Sequence, residues 1–481
     1  MTERMFLLHQ SESEQKRNPL QKKHRSLFMK EIWPKIHSLD SLLKKQILSP
    51  DHLYRWSQFV IPYNAGESCF LYNTLTRQCV SRSISEHTSF TDRHFCNFAS
   101  SAAESKTRSY EELNKDPELL QLMQDYYLVP ADRDEAAFYL ELYKAQRMLF
   151  SRPGISGYTI LPTWSCNARC CYCFEEGLPR TSMSEDTVEK TISFMLSNKR
   201  KGKPLHLKWF GGEPLLSVPV IDRISQALEK DGVSFSAVMT TNGSLITDDI
   251  LARMKGLWHL KSAKVSMDCA EETYIRRKNY IHYDNTYWKV MENVNRMMEA
   301  GILVTIRCNA DEGNMDEIPA FLTDLSRMIR KKENLTVGFS PLHASARNST
   351  CLPLLDRLRQ ALTEAEAYGF AADRARETTG FSINHCMADH PQGHLVIAPT
   401  GDLYLCSFCE PGTSVGNVRE GITRRDIYNE YMEPGPVREK CEKCPFLPHC
   451  TPFSRCPVTR YYCRENQMHF LEEKLLKEVT K

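Results

Sequence analysis

The spacing of apolar residues changes along the chain, and the central region has the most regular pattern. Between residues 155 and 343, short apolar runs typical of strands alternate with segments whose apolar residues recur at helical spacing. The predicted strands are 158–162, 205–210, 233–240, 264–267, 304–308 and 335–339, and the predicted helices are 184–198, 218–230, 248–255, 286–300 and 314–329. Ser182, with Glu185 three residues later, predicts a capping box at the first helix. Alternating strands and helices predict parallel βαβ units in an open or closed α/β barrel, with chemistry at the carboxyl ends of the strands.

The flanking regions have different patterns. Apolar runs at 59–63 and 69–72 lie on either side of an Asn-Ala-Gly turn, which predicts a hairpin. Helical spacing follows, and we predict a small α+β domain after an N-terminal helical extension. The predicted helices are 84–101, 117–127, 134–150 and 353–370, and the predicted domains are 1–56 (extension), 57–150 (α+β), 151–345 (barrel), 346–380 (linker helix), 381–465 (Cys-rich) and 466–481 (charged helix).

Charge and hydropathy argue against two classes of partner. The 62 Lys and Arg residues nearly balance the 60 Asp and Glu residues, giving a formal charge of +2, so no basic field predicts nucleic-acid binding. There is no run of about 18 apolar residues that would predict a membrane span. The first residues also lack the order of regions of a signal peptide. We therefore expect a cytoplasmic protein.

Cysteine is the residue type that points to chemistry. The chain has 18 cysteines, four of them in one short group and eight within 386–463. A reducing cytosol disfavours disulfides, so clustered cysteines favour metal ligation. Cys166, Cys170 and Cys173 follow the first predicted strand and can ligate three irons of a 4Fe–4S cluster, leaving the fourth iron open. Zinc would need a fourth ligand, and Cys171 is poorly placed for the same ion because it is adjacent to Cys170.

This motif resembles the signature of the radical S-adenosylmethionine (radical SAM) enzymes. They have cysteines at this spacing and an aromatic residue before the last cysteine, here Tyr172. The resemblance implies a partial (β/α)6 TIM-like barrel, a three-cysteine 4Fe–4S cluster, and SAM bound at the open iron. It also implies reductive cleavage of SAM to a 5′-deoxyadenosyl radical, with a reductant such as flavodoxin or ferredoxin. The protein itself would bind and orient the reactants and would exclude water from the radical.

A second motif of that family follows the second predicted strand. The GGEP loop, here Gly211, Gly212, Glu213 and Pro214, holds the amino group of SAM in the family. Glycines permit close backbone approach, and a carboxylate with exposed carbonyls suits an ammonium group. We therefore expect this loop to bind the methionine part of SAM.

Further residues at the strand ends resemble family positions that contact SAM. The resemblance assigns ribose contacts to Asn242, Ser266 and Asp268. It assigns the SAM carboxylate to Arg276 or Arg277, and Arg307 is expected at another inward position of the barrel.

The second cysteine group, with Gly401 inside it, resembles the SPASM domain of radical SAM enzymes that modify peptides and proteins. The spacing departs from the family at one point: five residues separate Cys450 from Cys456, where the family usually has three. The resemblance implies two auxiliary 4Fe–4S clusters, the first held by Cys386, Cys406 and Cys456 and the second by Cys441, Cys444, Cys450 and Cys463. The fourth position of the first cluster is either Cys409 or an iron open to substrate. Zinc is the alternative metal for these spacings.

The order of elements in 57–150 resembles the winged-helix-like domain with which peptide-modifying radical SAM enzymes bind a precursor leader. A structural extension of the barrel is the alternative. The sequence therefore predicts a maturase that abstracts hydrogen from a residue of a ribosomally made precursor peptide and forms a thioether or other side-chain cross-link. An anaerobic sulfatase-maturing activity, which oxidises Cys or Ser to formylglycine, is the nearest alternative. A non-catalytic zinc or electron-transfer scaffold is the alternative of another class.

Overall fold

The computed structural model describes nine parts of the chain, and the fold below refers to these. They are residues 50–65, 68–83, 107–150, 153–281, 286–342, 352–373, 393–432, 437 and 439–449. The predicted N-terminal extension, except for its last residues, lies outside them, as do the predicted helix at 84–101 and the C-terminal helix. The chain divides into two units, Met1–Glu135 and Ala136–Lys481.

The first unit contains the predicted hairpin within a three-stranded antiparallel sheet. Strands β2 and β3 pair with Ala65 opposite Ser68, and β4 pairs with the other edge of β3. A second small sheet, not predicted from the sequence, has the order β5-β1-β6. The strands are β1 Leu53–Trp56, β2 Val60–Ala65, β3 Ser68–Asn73, β4 Gln78–Ser83, β5 Arg108–Ser109 and β6 Leu128–Pro130.

Three helices follow the hairpin among the described residues: α1 Tyr110–Asn114, α2 Pro117–Gln124 and α3 Glu135–Phe150. The carboxylate of Asp116 caps α2, and Pro117 occupies its first turn, where no backbone donor is needed. Ser109 and Glu112 form a capping box at the start of α1. The predicted helices at 117–127 and 134–150 are thus confirmed.

The second unit is built on the six predicted parallel strands, which neighbour one another in sequence order. They are β7 Gly157–Ile160, β8 Leu205–Trp209, β9 Phe235–Thr241, β10 Leu260–Asp268, β11 Leu303–Ala310 and β12 Leu335–Pro341. Each successive pair is parallel. Sequential parallel strands joined by helices are the arrangement of a TIM-like barrel, so the predicted fold class is confirmed.

The helices of this unit agree with the prediction except at two places. They are α4 Glu185–Asn198, α5 Val218–Lys230, α6 Asp248–Lys255, α7 Glu271–Lys278, α8 Tyr287–Glu299, α9 Ile318–Met328 and α10 Leu352–Ala367. Helix α7 was not predicted, because five of its eight residues are charged. The predicted capping box at Ser182 is wrong: Ser184 caps α4 by accepting from the Thr187 amide, while the Ser182 hydroxyl donates to Thr163.

The central sheet continues beyond the barrel strands at both edges. β13 Ala371–Ala372 pairs with β12, and β14 His394–Ile397 pairs in parallel with β7. A short antiparallel series then extends the sheet: β15 Asp402–Tyr404, β16 Gly416–Asn417 and β17 Gly421–Ile422. Helices α11 Arg425–Met432 and α12 Glu439–Glu442 follow. Part of the predicted Cys-rich domain is therefore continuous with the barrel sheet.

One large apolar core lies between the strands and the helices. Side chains from alternate positions of β8 to β12 are buried in it, among them Leu207, Trp209, Val265, Ile306 and Val337. The intervening positions lie on the other face of the sheet, as the twofold period of a strand requires. No helix in the described part of the chain is long and apolar enough to cross a membrane.

Candidate active site

The loop after β7 carries the three cysteines of the first motif. Its backbone turns back on itself, since the Cys173 amide donates to the Cys170 carbonyl over 3.1 Å, and the Ala168 amide donates to Cys166 Sγ over 3.4 Å. Burial raises the pKa of the Cys166 thiol to about 12, and negative charge on Glu213, Cys170 and Cys173 adds to that rise. The three thiols are thus close enough to influence one another electrostatically.

These thiols fit the donor set of an iron–sulfur cluster. Iron–sulfur clusters take Cys thiolates, and a bound metal deprotonates a thiol that would otherwise be neutral. Within the described ranges no three His, Cys, Asp or Glu side chains converge as a preformed metal site would. The donor set available for a cluster is therefore the three thiols that this one loop carries.

The end of α7 holds the cysteine loop in place. The Arg169 amide donates to the Lys278 carbonyl over 2.9 Å, and the Cys171 amide donates to the Arg277 carbonyl over 3.2 Å. An isolated bridge pairs Ala168 with the residue two positions after Lys278. A helix that the sequence pattern did not indicate thus supports the backbone of the cysteine motif.

The GGEP loop after β8 packs directly against the segment that leads into the cysteine loop. The Gly212 amide donates to the Thr163 carbonyl, and the Glu213 amide donates to the Ser165 carbonyl over 2.9 Å. A Cβ atom on Gly211 would lie 2.5 Å from the Thr163 carbonyl oxygen, and one on Gly212 would lie 2.2 Å from that of Ser165. The backbones approach so closely here that only glycine fits at either position. The two predicted motifs therefore lie side by side.

The carboxylate of Glu213 is directed into the protein. It is fully buried; Oε1 accepts from the Thr241 hydroxyl over 2.8 Å and from the Leu215 amide over 3.1 Å, and Oε2 accepts from the Asn242 amide over 2.7 Å. Burial raises the pKa of this carboxyl, and these hydrogen bonds oppose the rise. The carboxylate is therefore used inside the protein, and its expected contact with a ligand ammonium stays a prediction, while the backbone of Gly211 and Gly212 is half-exposed.

Asn242 lies at the end of β9, but its side chain is used inside the protein. Its amide nitrogen donates to Asn167 Oδ1 over 2.7 Å, and its oxygen accepts from the Ser244 hydroxyl over 2.7 Å. Asn167 in turn donates to Ser244 over 2.9 Å. Asn242 therefore connects the end of β9 to the cysteine loop, and its expected ribose contact stays a prediction.

A buried polar network joins the cysteine loop to the ends of β10 and β11. The Tyr172 hydroxyl donates to Asp268 Oδ2 over 2.7 Å and accepts from the Asn309 amide over 3.2 Å. The Lys278 ammonium donates to the Ser266 hydroxyl over 3.0 Å and lies 3.7 Å from Asp268 Oδ2. The sequence indicated Tyr172, Ser266 and Asp268, but not Lys278.

Two atoms of this network fit a ligand hydroxyl. Asp268 Oδ1 is buried and accepts no hydrogen bond from the described residues. Ser266 accepts from Lys278 and is half-buried, so its own hydroxyl hydrogen remains able to donate. A buried acceptor without a partner is uncommon in folded proteins and calls for a partner from outside the chain. Both atoms therefore suit the predicted ribose site.

The two arginines expected at the SAM carboxylate are engaged elsewhere. Both terminal nitrogens of Arg277 donate to the Asp311 carboxylate, over 3.0 and 2.7 Å, as a bidentate ion pair. Arg276 donates to the Thr273 hydroxyl over 3.2 Å and is exposed. The predicted SAM contacts of these arginines are not tested by this geometry and gain no support from it. Arg307 is half-buried in β11 between the core residues Ile306 and Cys308, so its side chain lies on the face of the sheet opposite the core.

The second cysteine group is partly described. Cys409 is buried, and its amide donates to the Cys406 carbonyl over 3.1 Å; the Cys444 amide donates to the Cys441 carbonyl over the same distance. Gly401 forms the turn between β14 and β15 with a φ of +85°. The other predicted ligands lie outside the described residues: Cys386, Cys450, Cys456 and Cys463.

Aromatic rings connect this second group with the cysteine loop. The Phe174 ring is stacked on that of Phe210 at 6.2 Å between centroids and lies 4.8 Å from that of Phe408. Phe174 directly follows Cys173, and Phe408 lies between Cys406 and Cys409. The first and second cysteine groups are therefore neighbours in space.

Comparison with known proteins agrees with this geometry. Residues 160–325 match the radical SAM superfamily. An S-adenosylmethionine-dependent nucleotide dehydratase of a Thermoplasmatales archaeon is 33% identical over 121 residues, which is 25% of this chain and 41% of that protein. A serine-type anaerobic sulfatase-maturating enzyme of Klebsiella pneumoniae is 32% identical over 91 residues, 18% of this chain and 23% of that protein. The chain thus spans less than half the length of either relative.

A solved structure has the same fold. The structure of anSMEcpe with bound AdoMet superposes with a TM-score of 0.52 at 16% identity, covering 67% of this chain and 94% of that one. The family match at 160–325 begins at the last residue of β7 and includes the cysteine loop, the GGEP loop and the ends of β9, β10 and β11. Residues 160–325 of this chain therefore form a radical SAM domain.

Proposed function

We propose that this chain is a radical SAM maturase that abstracts hydrogen from a residue of a ribosomally made precursor peptide and forms a thioether or other side-chain cross-link. One observation carries the enzyme class: the thiols of Cys166, Cys170 and Cys173 lie on one loop at the carboxyl end of β7, against the GGEP loop of β8. The partial match to a sulfatase-maturating enzyme supports a peptide or protein as substrate.

The residues of the barrel divide the work of binding among them. A 4Fe–4S cluster and SAM, when bound, supply a 5′-deoxyadenosyl radical that removes hydrogen from substrate. The three thiolates would hold the cluster, and the backbone of Gly211 and Gly212 would receive the methionine ammonium. Asp268 Oδ1 and the Ser266 hydroxyl would bind the ribose, because each retains hydrogen-bonding capacity. Pro214 starts the short helical turn that follows the loop.

We further propose that the second cysteine group forms a SPASM-type domain with two auxiliary clusters. Cys441 and Cys444 would contribute to one, and Cys406 to the other with Cys409 as its fourth ligand. The short backbone turns that join each pair support this assignment. Auxiliary clusters would pass electrons from a flavodoxin or ferredoxin, or bind a substrate thiolate directly. Thiol-rich sites of this kind need a reducing compartment, for which we propose the cytoplasm.

We propose the sheet β2-β3-β4 as the place where the leader of the precursor binds. β3 is paired on both sides, so β2 and β4 are edges of this sheet within the described residues. An extended peptide can add a strand to such an edge through backbone hydrogen bonds. This role rests on the order of elements and on the position of β2 and β4 at the edges of the sheet as far as the structure describes it.

The experiment is anaerobic reconstitution with iron and sulfide, followed by reduction in the presence of SAM. We expect a brown protein that produces 5′-deoxyadenosine, and replacement of Cys166, Cys170 and Cys173 by Ala should abolish that product. Cys269→Ala is the matched control, because Cys269 is buried beside Cys308 and is not one of the three motif cysteines. Stoichiometric zinc without acid-labile sulfide would instead support the non-catalytic scaffold.

The product separates the two enzymatic candidates. Incubation with a candidate precursor peptide should remove two hydrogens and leave a cross-linked fragment in tandem mass spectrometry. Conversion of a Cys or Ser residue to formylglycine in a sulfatase-derived peptide would support the sulfatase-maturing alternative, which the partial match to the Klebsiella enzyme favours.

A further inference from the structure

Two buried tryptophans of the second unit have an indole N–H without an acceptor among the described residues. Nε1 of Trp164 and Nε1 of Trp209 are both shielded from solvent, and neither donates a hydrogen bond within the described ranges. Trp209 is completely buried, and Trp164 is 8% exposed. The indole N–H is a donor only, and a buried donor without an acceptor is uncommon in folded proteins. Each of the two therefore calls for an explanation from its surroundings.

The surroundings of the two indoles differ. Trp209 belongs to the large core, which as far as the structure describes it contains none of the proposed cluster ligands. Trp164 belongs to a separate small apolar cluster that also contains Tyr404 and Cys409. Cys409 is the residue that the proposed function makes the fourth ligand of the first auxiliary cluster. Trp164, unlike Trp209, therefore packs in the same group of side chains as a proposed iron ligand.

Backbone hydrogen bonds hold Trp164 between the two cysteine groups. The Leu161 amide donates to the Ile397 carbonyl over 2.9 Å, so the residues that follow β7 lie beside those that follow β14. The Trp164 amide donates to the Thr181 carbonyl over 2.9 Å, and Cys166 comes two residues later. The backbone that carries the indole is thus tied to the sheet on one side and to the end of the cysteine loop on the other.

Cys409 becomes a good acceptor for an indole N–H when it ligates a metal. A neutral thiol accepts hydrogen bonds weakly, whereas a metal-bound thiol is deprotonated and carries negative charge. Burial raises the pKa of the Cys409 thiol, and negative charge on Cys406 and Glu175 adds to that rise. A thiolate at this position therefore needs a bound metal, and it gains from any neighbouring donor, because a hydrogen bond to it is charge-assisted.

We propose that the indole N–H of Trp164 donates a hydrogen bond to sulfur of the first auxiliary cluster at Cys409, and thereby raises the reduction potential of that cluster. This inference rests on the proposed function, which makes Cys409 a ligand. Hydrogen bonds to the sulfurs are among the factors that set the potential of an iron–sulfur cluster. They favour the reduced form, because it carries one more negative charge. The cluster is then a better electron acceptor than it would be without Trp164.

The test measures reduction potentials by electron paramagnetic resonance during an anaerobic redox titration of the reconstituted full chain. Replacing Cys166, Cys170 and Cys173 by Ala leaves the auxiliary clusters to be observed without the SAM-binding cluster. In that background, Trp164→Phe keeps an aromatic ring and removes the N–H. We expect the equilibrium constant for reduction of one auxiliary cluster to fall about tenfold, which is about 59 mV for one electron, and the other cluster to be unchanged. Trp209→Phe is the matched control, because it removes an equally unpartnered N–H from the large core.

Ultraviolet resonance Raman spectroscopy gives a second readout that does not depend on the stability of Trp164→Phe. One indole band responds to hydrogen bonding of the N–H. Reconstitution with iron and sulfide should shift the contribution of one tryptophan to this band. The shift should be absent from Trp164→Phe and present in Trp209→Phe.

Three results would overturn the inference. One is the same set of potentials in Trp164→Phe and Trp209→Phe. A second is an indole band that reconstitution leaves unchanged. A third is a change of potential that Trp164→Phe causes only when the three motif cysteines are present, because the hydrogen bond would then serve the SAM-binding cluster. Iron and sulfide are measured in every preparation. A cysteine-replaced chain without either would contradict the auxiliary clusters of the proposed function, whereas a full cluster content with unchanged potentials would contradict this inference alone.

Discussion

The Lys278 ammonium lies 3.7 Å from Asp268 Oδ2, and both side chains are almost completely buried. Burial alone would lower the pKa of Lys278, but the oxygens of Tyr172 and Asp268 hold it well above its usual value. Burial raises the pKa of Asp268, and Lys278 opposes that rise. The pair links the end of β10 to the last residue of α7, whose backbone supports the cysteine loop. The Lys278–Asp268 ion pair is therefore part of the structure that supports the cysteine loop.

We expect Lys278→Met to destabilise the cluster-free protein by about 3 kcal/mol, because it leaves the Asp268 carboxylate buried without its cation. The support of the cysteine loop would also weaken, so reconstituted protein should hold less iron. Urea denaturation measures the first effect, and iron and sulfide analysis measures the second.

The double variant Lys278→Met with Asp268→Asn is the control for that prediction. Removing both charges should recover part of the lost stability, since the penalty comes from the unpaired partner. Lys255→Met on the exposed side of α6 should change stability by less than about 0.5 kcal/mol. Equal stability of Lys278→Met and Lys255→Met would contradict a buried ion pair at this position.

The strands and the two motifs could be predicted because their signals are local. Apolar runs fix the strands, and the cysteine and GGEP motifs are contiguous, so the alternation of strand and helix places both at the same end of the barrel. Lys278 could not be found in this way. It lies in a short, highly charged helix without an apolar stripe, and its partner Asp268 belongs to the preceding strand. The burial of Lys278 is a result of tertiary packing and cannot be recognised from its local sequence.

The direction of a side chain is the other information that the sequence lacks. Glu213 has the spacing of a ligand-binding residue, yet its three hydrogen-bond donors come from its own loop and from the end of β9. Likewise, Arg277 is paired with Asp311, which follows β11. Such pairs join residues that are far apart in the sequence, and no local pattern indicates which distant residue will be the partner.

In the first unit, we expect Glu135→Ala to destabilise the fold by about 3 kcal/mol. Glu135 is buried and accepts hydrogen bonds from Arg55 and from the Gln58 amide, each over 2.8 Å, and from the Ser57 hydroxyl. Removing the carboxylate leaves a partly buried guanidinium without its counterion and takes away the acceptor of the Gln58 amide.

Limited proteolysis of this region and urea denaturation measure that effect. Glu118→Ala, an exposed residue in the first turn of α2, is the matched control and should cost less than about 1 kcal/mol. If Glu135→Ala resisted the protease as well as the unaltered protein does, Glu135 would not be needed to stabilise this region.

Gly212→Ala tests whether the two motifs must lie in contact. Its Cβ would come within 2.2 Å of the Ser165 carbonyl oxygen, a backbone atom that cannot move away without shifting the cysteine loop. We expect loss of 5′-deoxyadenosine production and a destabilisation of about 2 kcal/mol or more, as for other overpacked sites.

Gly232→Ala provides the comparison, because Gly232 has a φ of +67° but nothing within 4 Å of an added Cβ. Backbone strain alone should lower the stability of Gly232→Ala by about 1–2 kcal/mol and leave SAM cleavage intact. If both variants lost SAM cleavage to the same extent, steric contact between the loops would not be the cause.

Glu213→Gln distinguishes a positioning role of the carboxylate from direct contact with SAM. The amide group that replaces one oxygen would face a hydrogen-bond donor, either the Asn242 amide or the Thr241 hydroxyl and Leu215 amide. One buried donor would lose its acceptor, at a cost of about 1–3 kcal/mol. We therefore expect lower stability of the cluster-free protein, a higher KM for SAM, and an unchanged iron content after reconstitution. Glu229→Gln, whose exposed carboxylate pairs with His259, should cost less than about 1 kcal/mol. A variant of Glu213 with full stability but no SAM binding would restore the sequence-based expectation that this carboxylate touches the ligand.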